Sequence, residues 1–287
     1  MTSSFSDHLE RYGIFPFDTD EYWTWGGMKL GSKRARILQR LRKPIDQGHP
    51  TKRQLLSFYD FIADPTVAAV VHSSKARAIK ESGKAISDHI KGRRRILDLG
   101  CSIGYMTTWF AASNPDHRVA GIDFSGPAVH AAAQVAREFG ISNVIFEQAD
   151  FVQTIPGGPY DAAVDSQTLY AVAAESQVDF DHAIENIVKT LAPDGILVSV
   201  PAIGTAPKLT AYVDAFARHG LGLVELDFIT FFDVGMSGGY PVLVLQSGHP
   251  GLDLDIDGGY AAVKAQLATL YHLRSEQPDE DVTPRHE

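Results

Sequence analysis

A single cysteine, Cys101, stands in the 287 residues. One thiol cannot form an internal disulfide or a cysteine-built zinc site, and this suits a reducing compartment. Nowhere do 18 apolar residues follow one another, so no membrane span is expected. The opening MTSSFSDHLERYG has neither the basic end nor the apolar stretch of a secretory signal, and the expected location is cytoplasmic. Positive charge is also short: 26 Lys and Arg against 35 Asp and Glu leave a net charge of −9. A general nucleic-acid binder carries a basic footprint instead, so a nucleic-acid partner is disfavoured. The 11 histidines lack HExxH or any other ligand spacing, and no catalytic metal is expected. Asp253-Leu-Asp255-Ile-Asp257-Gly258 begins like a calcium loop, but Lys264 stands at the twelfth position, where a bidentate glutamate is needed. Nothing in the sequence speaks to oligomeric state.

The positive charge that is present is concentrated. Lys29, Lys33, Arg34, Arg36, Arg40, Arg42, Lys43, Lys52 and Arg53 share one stretch with only Asp46. Such a run is either a solvated helix face or a dock for an anionic group. Residues 1–92 read as helices and loops, with helices over 32–41, 52–62 and 64–90, the last opened by Asp64-Pro65 as N-cap and first-turn proline. They form an N-terminal helical cap.

From residue 93 the texture changes to apolar runs alternating with amphipathic helices. Strands are expected at 95–99, 118–123, 143–148, 160–165 and 195–200. Helices fall at 105–113, 127–139, 178–191 and 207–219. This alternation implies an α/β fold with a doubly wound, mostly parallel sheet. Two β-rich runs, 223–231 and 240–246, have no helix-length segment between them and should pair antiparallel as a hairpin closed by the 232–239 segment. A last helix at 258–273 completes a core over 93–273. An acidic, disordered tail is expected over 274–287.

The densest signal is Arg95-Ile-Leu-Asp98-Leu-Gly100-Cys-Ser102-Ile-Gly104-Tyr105, a strand running through a glycine-rich turn into a helix. Gly100 and Gly104 let backbone pass close to a ligand at the carboxyl edge of the sheet. A dinucleotide fingerprint would need glycine at Ser102 and Tyr105 as well, and Tyr105 would crowd a pyrophosphate. The second strand ends in Asp123-Phe124, the third in Asp150-Phe151, and the fourth in Asp165-Ser-Gln167-Thr168.

These segments, in this order, resemble the class I S-adenosylmethionine-dependent methyltransferases over residues 94–246. Asp98 to Gly104 resembles that family's first motif, with Ser102 where a middle glycine is commonest. Tyr160 to Leu169, containing Asp165, resembles its fourth. The resemblance implies a seven-stranded sheet of order 3-2-1-4-5-7-6 and S-adenosylmethionine as cofactor. It assigns Asp98, Gly100, Ser102, Gly104 and Asp165 to the cofactor site. Asp123 would hold the ribose hydroxyls with Phe124 on the adenine face, and Asp150 with the Phe151 N–H would meet the adenine edge. Asp123 read without the family could cap the following helix, and Asp150 could be a turn residue.

The acceptor is less legible. Gln167, Thr168 and Tyr170 follow the fourth strand at the crevice edge, and Tyr170 is the candidate catalytic residue, to orient an acceptor or carry a proton. Tyr22, Trp23 and Trp25 sit in an aromatic, glycine-bearing stretch that is either a lid over the acceptor or a strap on the core. If it is a lid, deleting 1–27 should spare cofactor binding and abolish activity. A nucleic-acid methyltransferase more often carries Asn-Pro-Pro-Tyr where this chain has Asp165-Ser-Gln-Thr. The preferred expectation is methyl transfer to a small molecule. The alternatives are an RNA or protein methyltransferase docking through Lys29–Arg53, or a protein that binds the cofactor without methylating.

Overall fold

The computed structural model describes residues 4–275 apart from 49 and 235. Five helices open the chain: α1 (Phe5–Arg11), α2 (Thr19–Asp46), α3 (Lys52–Ile62), α4 (Pro65–Ser73) and α5 (Ala76–His89). Local chemistry sets several of their starts. Ser4 with Asp7, and Thr51 with Gln54, form reciprocal capping boxes on α1 and α3. The Asp64 carboxylate accepts the N–H groups of Thr66 and Val67 at the head of α4.

The core follows as β1 (Arg95–Leu99), α6 (Tyr105–Ser113), β2 (Arg118–Asp123), α7 (Gly126–Glu138), β3 (Val144–Gln148), β4 (Tyr160–Ser166), α8 (Thr168–Glu175), α9 (Gln177–Thr190), β5 (Leu191–Val200), α10 (Ala206–Arg218), β6 (Leu221–Asp233), β7 (Met236–Ser247) and α11 (Ile256–Ser275). The strands form one sheet of order β3-β2-β1-β4-β5-β7-β6. Neighbours among β1 to β5 pair in parallel, and β7 runs antiparallel to both β5 and β6. This is the order the resemblance implied.

The central strands are apolar on both faces because helices cover both. Leu97, Leu99, Ala163 and Leu197 pack with Phe180, Tyr212 and Phe216 of α9 and α10. Ile96, Val119, Val164 and Val198 pack on the other face with Phe5, Ile79, Ile86 and Phe110 of α1, α5 and α6. No helix among the described residues is long and apolar enough to cross a membrane.

Four features depart from the sequence reading. The glycine-bearing aromatic stretch is helical, since α2 begins at Thr19 and kinks at Gly31, where φ is 65°. The helix expected over 64–90 is two. Lys75, at φ −136° and ψ 30°, ends one and precedes the next, and Asp233 from the far hairpin caps α5 by accepting the N–H groups of Arg77 and Ala78 at 2.9 Å each. The segment 232–239 is mostly strand, with Phe232 opposite Ser237 and Thr230 opposite Gly239. Finally, α1 is tied to the core. His8 Nε2 lies 3.1 Å from the Tyr105 carbonyl and 3.0 Å from Thr108 Oγ1, and the Tyr12 hydroxyl donates to the Gly104 carbonyl. Removal of 1–27 therefore strips a brace from the glycine turn, so cofactor binding should fall with activity. The acidic tail lies outside the described residues past 275, and α11 runs on to Ser275.

Candidate active site

The carboxyl ends of adjacent parallel strands share one edge of the sheet, and there the acids converge. Asp98 is one residue from the end of β1, Asp123 ends β2, and Asp165 lies opposite Leu99 on β4. Above them runs the turn from β1 to α6. The N–H groups of Gly100 and Cys101 both donate to the Ile122 carbonyl, at 2.8 and 2.9 Å, which lays the turn against β2. Gly100 has φ 71°, and a Cβ there would run into the Thr168 side chain; Gly104 has φ 82°, and a Cβ would come within 2.8 Å of Ala132. Both positions require glycine for conformation and for space. Ser102 is left-handed too, at φ 51°. A non-glycine residue there costs about 1–2 kcal/mol of local strain, the kind held at functional turns.

Asp123 is 5% exposed, and both its oxygens are held: the Ser102 N–H donates to Oδ2 and the Ser125 N–H to Oδ1, each at 2.9 Å. Burial raises its pKa, while those two N–H groups oppose the shift. Phe124 faces the Tyr59 ring of α3 edge-on at 5.4 Å. Helix α3 is fastened over this edge at two places. The Ser125 hydroxyl donates to Asp60 at 2.7 Å, and Lys52 pairs with Asp150 beyond the end of β3. The Phe151 ring is buried in the core, whereas its N–H finds no acceptor among the described residues. The Tyr59 and Tyr105 hydroxyls likewise have no hydrogen-bond partner there. Burial pushes Tyr59 up to about 12 and raises Tyr105 further, with nearby Asp charges adding to both. A crevice with orphan donors, a glycine cradle and a ring of carboxylates fits a cation carrying hydroxyls and an aromatic base.

Residues 90–209 match the family model described as a methyltransferase domain. A release factor glutamine methyltransferase of Xylella fastidiosa (strain 9a5c) is 23% identical over 215 residues, 74% of this chain and 76% of that protein. A malonyl-[acyl-carrier protein] O-methyltransferase of Acetivibrio thermocellus is 29% identical over 107 residues, 37% of this chain and 35% of its own. Among solved structures, the [4+2]-cyclase SpnF superposes with a TM-score of 0.54 at 19% identity, covering 69% of this chain and 97% of its own.

Residues 90–209 carry a methyltransferase domain, and the sheet has the strand order of the class I methyltransferase fold.

At this sheet edge the strand-end acids are not equivalent. Asp98 is 4% exposed and accepts the Thr107 hydroxyl at 2.6 Å. Burial pushes its pKa up to about 7, and the charges of Asp165 and Asp123 add to the rise. Asp165 is fully buried, and its oxygens are taken: Oδ1 by the N–H groups of Thr168 and Leu169, Oδ2 by the Ser199 hydroxyl. It caps α8, a helix the sequence reading did not foresee.

Gln167, at φ 68°, donates its N–H to the Val200 carbonyl and opens α8; Thr168 shields Gly100. Tyr170 is half-buried against the core beside α9. Of the aromatic trio, Trp23 is 67% exposed, and Trp25 packs on Phe17 with ring centroids 4.6 Å apart. The Tyr22 hydroxyl donates to the Val70 carbonyl on α4. The segment is thus packed through Trp25 on Phe15 and Phe17 and through Tyr22 on α4. Sequence reasoning passed over Tyr59 and Asp60, which lie on a helix it did predict. It weighed Tyr105 only as an obstacle to a pyrophosphate.

Proposed function

We propose that this methyltransferase acts on a small-molecule acceptor enclosed beneath its N-terminal helices. The carrying observation is α3, laid across the sheet edge and joined to it through Lys52–Asp150, Asp60–Ser125 and the Tyr59–Phe124 contact. A cover fastened on the core favours an acceptor small enough to pass beneath it over a folded partner.

In this reading Asp123, oriented by the Ser102 and Ser125 N–H groups, accepts two hydrogen bonds from vicinal ribose hydroxyls. Phe124 and Tyr59 flank the adenine, and Asp150 with the free Phe151 N–H meets its edge. Asp98 lies where a positive charge on the cofactor would favour its ionised form, and Gly100, Ser102 and Gly104 bring backbone alongside. The cofactor supplies an already activated sulfonium methyl. The protein's part is to align the acceptor in line with it and keep water out, and positioning of this kind can lower a barrier by roughly 7–11 kcal/mol. Gln167, Thr168 and Tyr170 fall to the acceptor side, Tyr170 as the group that orients the acceptor or carries a proton.

The similarity over 74% of the chain to a release factor glutamine methyltransferase favours a second reading, a protein acceptor. The two separate in one assay. Labelled S-adenosylmethionine is supplied together with a fractionated cell extract, and incorporated label is followed by size. Label in the small-molecule fraction supports the proposal. Label confined to protein overturns it.

A further inference from the structure

The end of α4 and the turn into α5 hold charged and polar groups that the cofactor reading leaves unused. His72, in the last turn of α4, is 5% exposed, and neither ring nitrogen has a hydrogen-bond partner among the described residues. Its ring lies 4.9 Å from that of Tyr105, the first residue after the glycine turn. Burial lowers its pKa to about 3, so the ring is neutral and carries one donor and one acceptor.

Three residues on, Lys75 is half-buried at the α4–α5 turn, and its ammonium makes no hydrogen bond or ion pair among the described residues. The charges around it do not compensate. Arg42 of α2 repels it, and Asp233 of the hairpin attracts it while both Asp233 oxygens already accept the Arg77 and Ala78 N–H groups. Burial first, then Arg42, lowers the Lys75 pKa. The place is also telling. Ser199 pairs with Leu243, near the end of β5, so the β6–β7 tip projects past the carboxyl edge of the sheet and meets the start of α5. This mouth lies on the β5–β7 side, away from Asp123 and Asp150. An unpaired, partly desolvated cation is costly to keep, and at the rim of a crevice it is a poised anion site.

We propose that Lys75 anchors an anionic group of the acceptor, a carboxylate or a phosphate, at the mouth formed by α2, the α4–α5 turn and the β6–β7 tip. Arg42 adds positive charge to the same mouth, and His72 supplies a hydrogen bond from beneath. The inference rests on the methyl-transfer reading and narrows its substrate class to anionic acceptors.

Calorimetry on the full chain loaded with S-adenosylhomocysteine tests it, with malonate and inorganic phosphate titrated separately. Wild type should bind at least one of them with a millimolar Kd; malonate alone marks a carboxylate acceptor, and phosphate alone a phosphorylated one. Lys75→Met should weaken that binding at least tenfold, about 1.4 kcal/mol, and Lys75→Arg should keep most of it. Circular dichroism of both variants checks the fold. Equal anion binding by Lys75→Met and wild type overturns the proposal, as does absence of binding by wild type at tens of millimolar. Should wild type fail to bind S-adenosylhomocysteine itself, the cofactor reading fails instead, and the same titration on the unliganded chain still decides the role of Lys75.

Discussion

Replacing Asp98 with asparagine probes the electrostatics of the cofactor crevice. The side chain is 4% exposed, its partner is the Thr107 hydroxyl at 2.6 Å, and the charges facing it are Asp123 and Asp165. Its pKa stands at about 7, against about 3.9 in an unfolded chain. Three units correspond to roughly 4 kcal/mol by which the fold disfavours the ionised carboxylate. The folded value is the raised one. The favourable contribution of this group is therefore complete below pH 4, declines by about 1.4 kcal/mol per unit above it, and is gone once pH passes about 7. Asparagine keeps an oxygen for Thr107 and does not ionise. The variant should match wild type near pH 4 and, without cofactor, be more stable at pH 8 by roughly 2–4 kcal/mol, or about 4–8 °C in melting temperature. S-adenosylmethionine is cationic, so its binding should favour the ionised form and release a proton near pH 6.5. Calorimetry in two buffers of different ionisation enthalpy counts that proton, and Asp98→Asn should abolish its release. Parallel melting curves for the two proteins from pH 4 to 8, or equal proton release, would refute the reasoning.

Asp123→Ala should weaken S-adenosylmethionine binding by more than tenfold, about 1.4 kcal/mol, and lower stability by about 1–3 kcal/mol, since it strands the Ser102 and Ser125 N–H groups. A lower melting temperature with unchanged affinity in calorimetry would leave Asp123 only a brace. Lys52→Ala should change stability by less than about 1 kcal/mol, because Lys52 is 69% exposed, yet speed cofactor release several-fold in stopped flow by freeing one end of α3. An unaltered release rate would mean that α3 does not gate the crevice. Gly100→Ala should destabilise by about 1–3 kcal/mol, since the new methyl meets Thr168 at a φ of 71°, and cofactor binding should be lost with the turn's shape. Retained affinity in a folded Gly100→Ala protein would show that backbone at this turn does not approach the cofactor.

Most of the sheet was legible from local pattern. The runs ending at Leu99 and Asp123 are short, apolar and closed by turn residues, and β1 and β2 fall on the predicted bounds. Helix α3 was legible too, because Thr51 and Gln54 cap it within four residues. The hairpin was expected, but its length was not: glycines at 238 and 239 read as a loop when they are strand. Helices α4 and α5 merged in the sequence reading because the cap that separates them, Asp233, lies more than 150 residues away.

The sequence by itself determined the parallel core, its closing antiparallel pair, the glycine turn and the strand-end acids, because each is written in residues close along the chain. Only the tertiary structure decided how each acid is buried and what it bonds. Asp123 ends β2 and accepts one N–H on each oxygen, whereas Asp165, one residue before the end of β4, is fully buried and accepts from Thr168, Leu169 and Ser199. The tertiary structure also set Tyr59 edge-on to Phe124, placed His72 beside Tyr105 and left Lys75 without a partner among the described residues. Contacts of this kind join elements tens of residues apart, and burial gives them their chemistry; neither the spacing nor the burial is encoded in any local window of the sequence.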